Sequence, residues 1–220
     1  MENMEEYLKP TQFVDSDNPA IIAFAHEVVG ESTDAVEQVV KLYYAVRDRF
    51  PYNPYEVDLS NHGLKASTAL NRGYGYCVEK ANIMAASARA LGIPSRFGFA
   101  DVRNHIGSGK LMQVLRTNLL AFHGYVELYV NGKWVKATPA FNKTLCEKLQ
   151  VQPLEFNGLE DSIFQENDGP DGKFMEYVFD HGTFADIPQE YMIEVLRNHY
   201  PHLFAEDAAI ATEGMAMFKM

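Results

Sequence analysis

The spacing of apolar and polar residues predicts most of the helices in this chain. Along residues 32–49, apolar side chains recur at the period of an α-helix with one buried face, at Val36, Val39, Val40, Tyr43 and Val46. Capping residues, prolines and glycines bound further helices. The predicted helices cover residues 18–29, 32–49, 67–72, 77–91, 143–149 and 188–198.

Segments of alternating apolar and polar residues predict strands in the second half of the chain. The first is SRFGFADV, residues 95–102. The next two flank Asn131-Gly132 in HGYVELYVNGKWVKATP, residues 123–139, where this dipeptide predicts a two-residue hairpin turn. The remaining segments are predicted loops at 50–66 and 167–172, a less regular stretch at 110–120, a short apolar run at 174–179, and a peripheral helix or frayed tail at 205–220.

The hairpin turn predicts which side chains face each other. Counting outward from it pairs Val130 with Lys133, Tyr129 with Trp134, Glu127 with Lys136, Tyr125 with Thr138 and His123 with Ala140. Because side chains alternate along a strand, His123, Trp134 and Thr138 are predicted to share one face of the sheet. This register predicts an aromatic pair, an ion pair, and a Thr138 side chain diagonal to His123.

Length and composition predict one sizeable core and exclude two classes of partner. The chain has 220 residues, of which 47% are apolar, and neither an internal repeat nor a long linker divides it. Nineteen Lys and Arg against thirty Asp and Glu give a formal charge of −11, which opposes binding to phosphate backbones and anionic lipids. We therefore expect neither nucleic acid nor a membrane as a partner.

Cysteine usage and the first residues point to a cytoplasmic protein. Cys77 and Cys146 are too far apart for a CxxC motif and too few for a disulfide framework. The opening MENMEEYLKP is acidic and lacks the basic and apolar regions of a signal peptide. No window approaches the roughly eighteen apolar residues of a membrane span. We expect a soluble protein in a reducing compartment.

The stretch GYGYC, residues 73–77, places Cys77 between a glycine-containing turn and the predicted start of a helix. Backbone N–H groups and the helix dipole at such a position stabilise a thiolate and can lower a cysteine pKa to roughly 3.5–7.5. A histidine on a nearby strand, here His123, can accept the thiol proton and later protonate a leaving amine. The N–H of Cys77 could also face an oxyanion. A small buried cysteine with no chemical role is the alternative interpretation.

The order of these residues resembles the transglutaminase-like superfamily of papain-like thiol enzymes. The matching stretches are Gly75-Tyr76-Cys77, RALGIPSR at 89–96, His123, and WVKATP at 134–139. They lie within residues 66–142, and the helix at 34–49 resembles the family's usual lead-in. The resemblance implies an α+β fold of the papain-like, transglutaminase-core type, in which a central helix carrying the cysteine packs on an antiparallel sheet containing the histidine hairpin.

The resemblance also implies a domain organisation and an activity. It implies a single domain over residues 1–220, with its core motif region at 34–142 and a C-terminal extension at 143–220 packed on it. The implied activity is cysteine-dependent acyl transfer from an amide, by a thiol hydrolase, peptidase, deamidase or transglutaminase, with a peptide, a protein or a small amide as substrate. Cys77 would be the nucleophile and His123 the base, and neither a metal nor an organic cofactor is required. Oligomeric state stays open.

One residue departs from the family pattern. The third catalytic residue of the family is usually an Asp before the Pro, and this chain has Thr138 there. A hydroxyl can orient a histidine but supplies no charge for an imidazolium. Thr138 is the candidate third member, with Asn142 or Asp186 as alternatives. The missing carboxylate motivates a second hypothesis, a catalytically degenerate domain that binds a peptide or protein. A small-molecule amidase would instead have a narrow closed pocket.

Other chemistry-bearing residues have structural interpretations. Tyr76 and Trp134 are candidate substrate-binding residues, although packing of Trp134 against Tyr129 is an equally physical reason for its presence. Lys80 could favour a thiolate but is expected to be solvated, and Cys146 is expected to be structural. His199 and His202 have a ligand-like spacing that Pro201 disrupts, so no metal site is expected.

Overall fold

The computed structural model describes residues 4–105, 109–164, 175–205 and 217–220. Its helices are α1 (Pro19–Val29), α2 (Ala35–Arg49), α3 (Ala66–Arg72), α4 (Cys77–Ala90), α5 (Gly109–Leu115), α6 (Lys143–Leu149) and α7 (Gln189–His199). Its strands are β1 (Val57–Asp58), β2 (Ser95–Asn104), β3 (Leu119–Val130), β4 (Lys133–Ala137), β5 (Met175–Phe184) and β6 (Phe218–Lys219). Single 3₁₀ turns lie at Met4–Tyr7 and Pro201–Leu203.

Four of the strands form an antiparallel sheet against which α4 packs. Their order is β4-β3-β2-β5, and β1 and β6 form a separate parallel pair. The side chains of α4 are buried almost throughout, because α1, α2 and α3 cover its other sides. Its run of alanines allows this close packing and favours the helix. The fold is therefore α+β, with the cysteine-bearing helix at its centre, as the family resemblance implies.

The predicted helix limits agree with the structure to within a few residues, and the differences have local causes. Helix α2 begins at Ala35 because the carboxylate of Asp34 accepts the N–H of Glu37 at 2.8 Å. Asn18 caps α1 in the same way, accepting the N–H of Ala20 at 3.0 Å. The less regular stretch at 110–120 contains α5. Gly30, Gly73 and Gly92 follow α1, α3 and α4 with positive φ, the conformation in which a glycine ends a helix.

The hairpin prediction is confirmed near the turn and wrong farther from it. The ladder runs from Val130 opposite Lys133 to Val126 opposite Ala137, and Tyr129 meets Trp134 with ring centroids 5.3 Å apart. Beyond Ala137 the strand leaves β3, because the N–H of Thr138 donates to the carbonyl of Ser162 at 3.0 Å. The predicted pairs of Tyr125 with Thr138 and of His123 with Ala140 therefore do not form.

The predicted ion pair of the hairpin also has a different partner. Glu127 accepts a hydrogen bond from Arg96 of β2 at 2.7 Å, whereas the ammonium of Lys136 lies over the ring of Tyr125, 5.3 Å from its centroid. Arg96 of β2 and Lys136 of β4 both lie opposite Glu127. Glu127 pairs with Arg96 because a planar guanidinium matches the geometry of a carboxylate.

The loop and tail predictions are met in part. Residues 50–66 are mostly irregular, with β1 as a two-residue strand. Of the apolar run predicted at 174–179, residues 175–179 belong to β5, which extends to Phe184, and residue 174 lies outside the described residues. The loop at 167–172 and residues 206–216 of the tail lie outside the described residues, and residues 218–219 form β6 rather than a helix. Among the described residues, no helix is both long and apolar enough to cross a lipid bilayer.

Candidate active site

The turn before Cys77 is built by a buried ion pair. Arg72, at the end of α3, donates two hydrogen bonds to the carbonyl of Tyr74 and pairs with Glu79 at 2.7 Å. Glu79 in turn accepts the N–H of Tyr76 at 3.0 Å, which caps the start of α4. Burial raises the pKa of Glu79 to about 7, while Arg72 opposes the rise. These contacts fix Cys77 as the first residue of α4.

The thiol of Cys77 is buried and neutral in this structure. Burial raises its pKa to about 12, and backbone N–H groups of Gly124, Val78 and Cys77 itself lower it only in part. The sequence predicts a lowered pKa from the helix start alone. The difference arises because a cysteine at a helix start is stabilised as a thiolate only if the cost of burying its charge is smaller than the gain from the N–H groups.

His123 lies on β3 directly after an irregularity in that strand. The preceding residue, Phe122, has φ of +56°, and the register between β2 and β3 shifts at this point. His123 is 1% exposed, and its ring packs on Phe164 with centroids 5.4 Å apart. Within the described part of the chain, neither ring nitrogen has a hydrogen-bond partner. Burial lowers the pKa of His123 to about 4, so its imidazole is neutral.

Cys77 and His123 line the same cavity. It has a volume of about 50 Å³, enough for a few water molecules. Most of its walls are aromatic or aliphatic side chains: Tyr52, Tyr76, Phe122, Leu120, Met192, Leu196, Tyr200, Met217 and Phe218. Met217 directly precedes β6 and Phe218 begins it, so the last described segment forms one wall of the cavity. No hydrogen bond joins the thiol to His123 among the described residues.

None of the three candidate third residues donates to or accepts from His123 in the described residues. The hydroxyl of Thr138 is buried and lies near the hydroxyl of Tyr177 rather than His123. Asn142 accepts the N–H of Tyr52 at 2.9 Å and donates to Thr144. Asp186 accepts backbone N–H groups of two other residues. The role of Thr138 as the third residue stays a prediction.

The two candidate substrate-binding residues lie in different places. Tyr76 lines the cavity, and its hydroxyl approaches the sulfur of Met192 at 3.8 Å. Trp134 is not among the residues that line it. Its ring instead packs on Tyr129 and Tyr7 and under the guanidinium of Arg96, which is 4.1 Å from the ring centroid. Substrate binding by Tyr76 stays a prediction, and Trp134 has the packing contacts that the sequence offered as its alternative.

Lys80 is buried rather than solvated. Its ammonium donates to the carbonyls of Arg47 and Ala140, at 2.9 and 2.7 Å, and so ties α4 to α2 and to the segment after β4. Burial lowers its pKa to about 7. A signal for this lies in the sequence, since α4 carries small apolar residues on every face and therefore has no solvent side. Cys146 is buried, as expected for a structural cysteine.

No metal site is found in the described residues, where no three His, Cys, Asp or Glu side chains could share an ion. His202 is bonded to the carbonyl of Val114 at 2.8 Å instead. Sequence reasoning did not identify Gly124 or the wall formed by Tyr200 and Met217, which the long-range packing of β3, α7 and β6 brings to Cys77. Tyr52 reaches the same cavity from the loop after α2, where it forms a bridge with Gly75.

Comparisons with known proteins agree with this architecture. The family model of the transglutaminase-like superfamily matches residues 22–139. The chain is similar to the structure of an arylamine N-acetyltransferase from Nocardia farcinica, with 16% identity, a TM-score of 0.50, and coverage of 93% of this chain and 75% of that one. A search of curated protein sequences found no match.

Two further solved structures gave partial matches. One is a candidate cysteine protease from Cytophaga hutchinsonii, with 18% identity, a TM-score of 0.49, and coverage of 63% of this chain and 42% of that one. The other is a candidate protease from Parabacteroides distasonis, with 20% identity, a TM-score of 0.39, and coverage of 61% and 25%. The chain thus spans less than half the length of either. The family match covers more than half of the chain and includes the helix with Cys77 and the hairpin with His123, so the chain belongs to the transglutaminase-like superfamily.

Proposed function

We propose that this protein is a thiol enzyme that transfers an acyl group through Cys77. The observation that carries the proposal is the position of the sulfur. It lies at the first residue of α4, within reach of the N–H groups of Gly124 and Val78, and in one cavity with His123. N–H groups so directed stabilise negative charge on sulfur or on the oxygen of a tetrahedral intermediate.

The proposed reaction starts from a neutral thiol and a neutral imidazole. Cys77 attacks the carbonyl carbon, its proton passes to His123, and the leaving group departs with that proton. Because burial lowers the pKa of His123 to about 4, the imidazole is unprotonated at neutral pH and free to act as the base. Both nitrogens lack partners in the described residues, so one is available for this role.

The cavity favours a small acyl group. Its volume of about 50 Å³ and its largely apolar walls suit a short apolar chain better than a polar side chain. A narrow pocket is also the feature expected of an enzyme that acts on small amides or esters. Full-chain similarity to an arylamine N-acetyltransferase fold is consistent with this size but does not itself identify a substrate.

The test is acylation of Cys77 by a small activated ester, 4-nitrophenyl acetate, followed by peptide mass mapping. We expect one acetyl group on Cys77 that is lost on further incubation, and faster loss on adding hydroxylamine if an amine is the better acceptor. A Cys146→Ser variant should behave as the wild type. An unmodified Cys77 in folded protein, with ordinary reactivity of the same thiol after denaturation, would overturn the proposal.

A second candidate function is a binding domain that retains the fold without catalysis. The observation that favours it is the imidazole of His123, which is buried with no hydrogen-bond partner on either nitrogen in the described residues. A peptide or protein that supplies those partners would be stabilised there. In that case Cys77 stays unacylated, and a Cys77→Ala variant binds the partner as well as the wild type does.

A further inference from the structure

A hydrogen-bonded array of reactive groups lies outside the lining of the Cys77 cavity and ends at the surface. The carboxylate of Asp101, on β2, is bonded to Nε2 of His181, on β5, at 2.8 Å. The other nitrogen of that imidazole, Nδ1, is 2.7 Å from the hydroxyl of Tyr191, on α7. Asp101 is 5% exposed and Tyr191 is 38% exposed, so a buried acid is connected through one histidine to an accessible phenol.

Irregularities in the sheet direct two of these side chains toward each other. In the pairing of β2 with β5, Phe99 faces Gly182 and Ala100 faces Asp180, which leaves His181 as an extra residue in the strand. The β2–β3 pairing shifts at Asp101. Such bulges re-aim side chains and are frequent beside functional sites. The imidazole is further held between the rings of Phe122 and Phe179, each with its centroid 4.8 Å away.

The hydrogen bonds determine which nitrogen of His181 carries the proton. An ionised carboxylate can only accept, so Nε2 must be the protonated nitrogen. Asp101 also accepts the backbone N–H of Phe122 at 2.9 Å, which fixes the carboxylate, and its other oxygen lies 3.6 Å from Nε2 of His199. In the neutral imidazole, Nδ1 is then the acceptor, and the hydroxyl of Tyr191 must be the donor.

We propose that Tyr191 is a second nucleophile of this protein, activated by His181 and Asp101, and that it accepts acyl or sulfonyl groups from small electrophiles. Catalytic triads of hydrolases contain a hydroxyl, a histidine and a carboxylate in this order, and here the hydroxyl is the phenol of Tyr191. This site shares no reacting group with Cys77, and the proposal does not depend on acyl transfer there.

The reaction conserves atoms and charge. The phenol oxygen of Tyr191 forms a bond to the carbonyl carbon or sulfonyl sulfur, and its proton moves to Nδ1 of His181. Asp101 stabilises the resulting imidazolium through Nε2–H. The leaving group takes its bonding electrons and then the proton from Nδ1, which leaves a tyrosyl ester or sulfonate and the original neutral imidazole.

The test is labelling of the full-length protein with 4-toluenesulfonyl fluoride at neutral pH, because aryl sulfonates of tyrosine are stable enough for peptide mapping. Tyr44 is the internal control, since its hydroxyl donates to the carboxylate of Glu155 at 2.6 Å with no imidazole between them. We expect Tyr191 to be labelled at least roughly 100-fold faster than Tyr44, the lower end of general-base effects.

Two variants show whether the histidine causes the difference. His181→Gln removes the base and should bring the labelling of Tyr191 to within a few-fold of that of Tyr44, while Tyr191→Phe should lose the label altogether. If His181→Gln does not fold, the ratio of the Tyr191 labelling rate to the Tyr44 labelling rate in the wild type still tests the proposal. A ratio near one, or fast labelling that persists in folded His181→Gln protein, would overturn the proposal.

Discussion

His123 and His181 are buried imidazoles on the same antiparallel sheet, and their surroundings are opposite. Within the described residues, His123 has no hydrogen-bond partner on either nitrogen. His181 has a hydrogen-bond partner on each nitrogen, the carboxylate of Asp101 on Nε2 and the phenol of Tyr191 on Nδ1. His123 directly follows an irregularity in β3, and His181 is the extra residue of a bulge in β5. The backbone therefore sets the direction of both side chains.

This difference shows how partners decide what a buried histidine can do. Without a carboxylate, burial alone acts on His123 and holds it neutral, so any charge it acquires must be stabilised by a substrate. His181 already has an anionic partner, so its tautomer and orientation are set before any ligand arrives. Among the described residues, His123 in the Cys77 cavity thus lacks the hydrogen-bond partners that the Asp101–His181–Tyr191 array has in place.

The largest effect that separates the two regions should come from removing the thiol. A Cys77→Ala variant should lose acylation by 4-nitrophenyl acetate at this site entirely, and any turnover should fall by at least roughly 10³-fold. Sulfonylation of Tyr191 should stay within about twofold of wild type, because the two sites share no reacting group. Peptide mapping after each reagent measures both rates. An equal loss of Tyr191 labelling would show that the two regions are not independent.

The next-largest effect is on the pH dependence of the free energy of unfolding. The pKa of His123 is about 4 in the folded protein against a reference of 6.5, so the protein binds fewer protons folded than unfolded between these values. Its contribution to stability is therefore complete above pH 6.5 and is lost as the pH falls through 4, with up to about 3 kcal/mol at stake. A His123→Gln variant should have a flatter profile of unfolding free energy between pH 7 and 4 in urea titrations.

Two comparisons isolate that contribution. Glu79 has its pKa raised to about 7, so its own contribution has the opposite sign, present at low pH and lost as the pH rises through 7. The Glu79 contribution is the same in the wild type and in His123→Gln, so it cancels in the difference between their unfolding free energies. His62 is exposed in a loop, and His62→Gln should leave the profile unchanged. Parallel profiles for wild type and His123→Gln would contradict the burial of an unpaired imidazole.

Local signals in the sequence predicted the elements that hold the site. The Asn-Gly turn predicts the hairpin, and the positions of glycine and proline predict α4 beginning at Cys77, because turn and cap preferences act over a few residues. The motif resemblance predicted that α4 and the hairpin belong to one fold. These parts of the architecture depend on contacts between near neighbours in sequence or on patterns shared by a family.

The features that set the chemistry depend on distant residues and were not predicted. The bulge that makes His181 an extra residue forms where β5 meets β2, and its only local mark is Gly182, which has a φ of +87°. The divergence of Thr138 from β3 follows from its bond to Ser162, which a hairpin register cannot contain. The raised pKa of Cys77 likewise results from α7 and β6 closing the cavity, more than a hundred positions away in sequence.

A smaller effect tests how closely α4 approaches β3 beside His123. A Cβ atom on Gly124 would lie 3.0 Å from Cγ2 and 3.1 Å from Cα of Val78, and 3.2 Å from the ring of Phe99. The Cα atom cannot rotate away, so Gly124→Ala should lower the free energy of unfolding by about 1–3 kcal/mol. Gly109→Ala is the matched control, since nothing lies within 4 Å of its Cβ position. Equal melting temperatures for the two variants would mean that the helix and strand are farther apart.

The smallest effect concerns access to Cys77. Met217 is buried at the cavity and its carbonyl accepts the N–H of Val57 at 2.9 Å, so shortening its side chain widens the cavity while the backbone pairing of β1 with β6 is kept. Met217→Ala should therefore accelerate alkylation of Cys77 by iodoacetamide by roughly fivefold, corresponding to about 1 kcal/mol less to open the site. Met220→Ala is the control, because that side chain is 65% exposed. Labelling of Tyr191 should not change in either variant. If Met217→Ala alkylates at the wild-type rate, the thiol is reached from another side, and the wall formed by β6 does not govern access to the cavity.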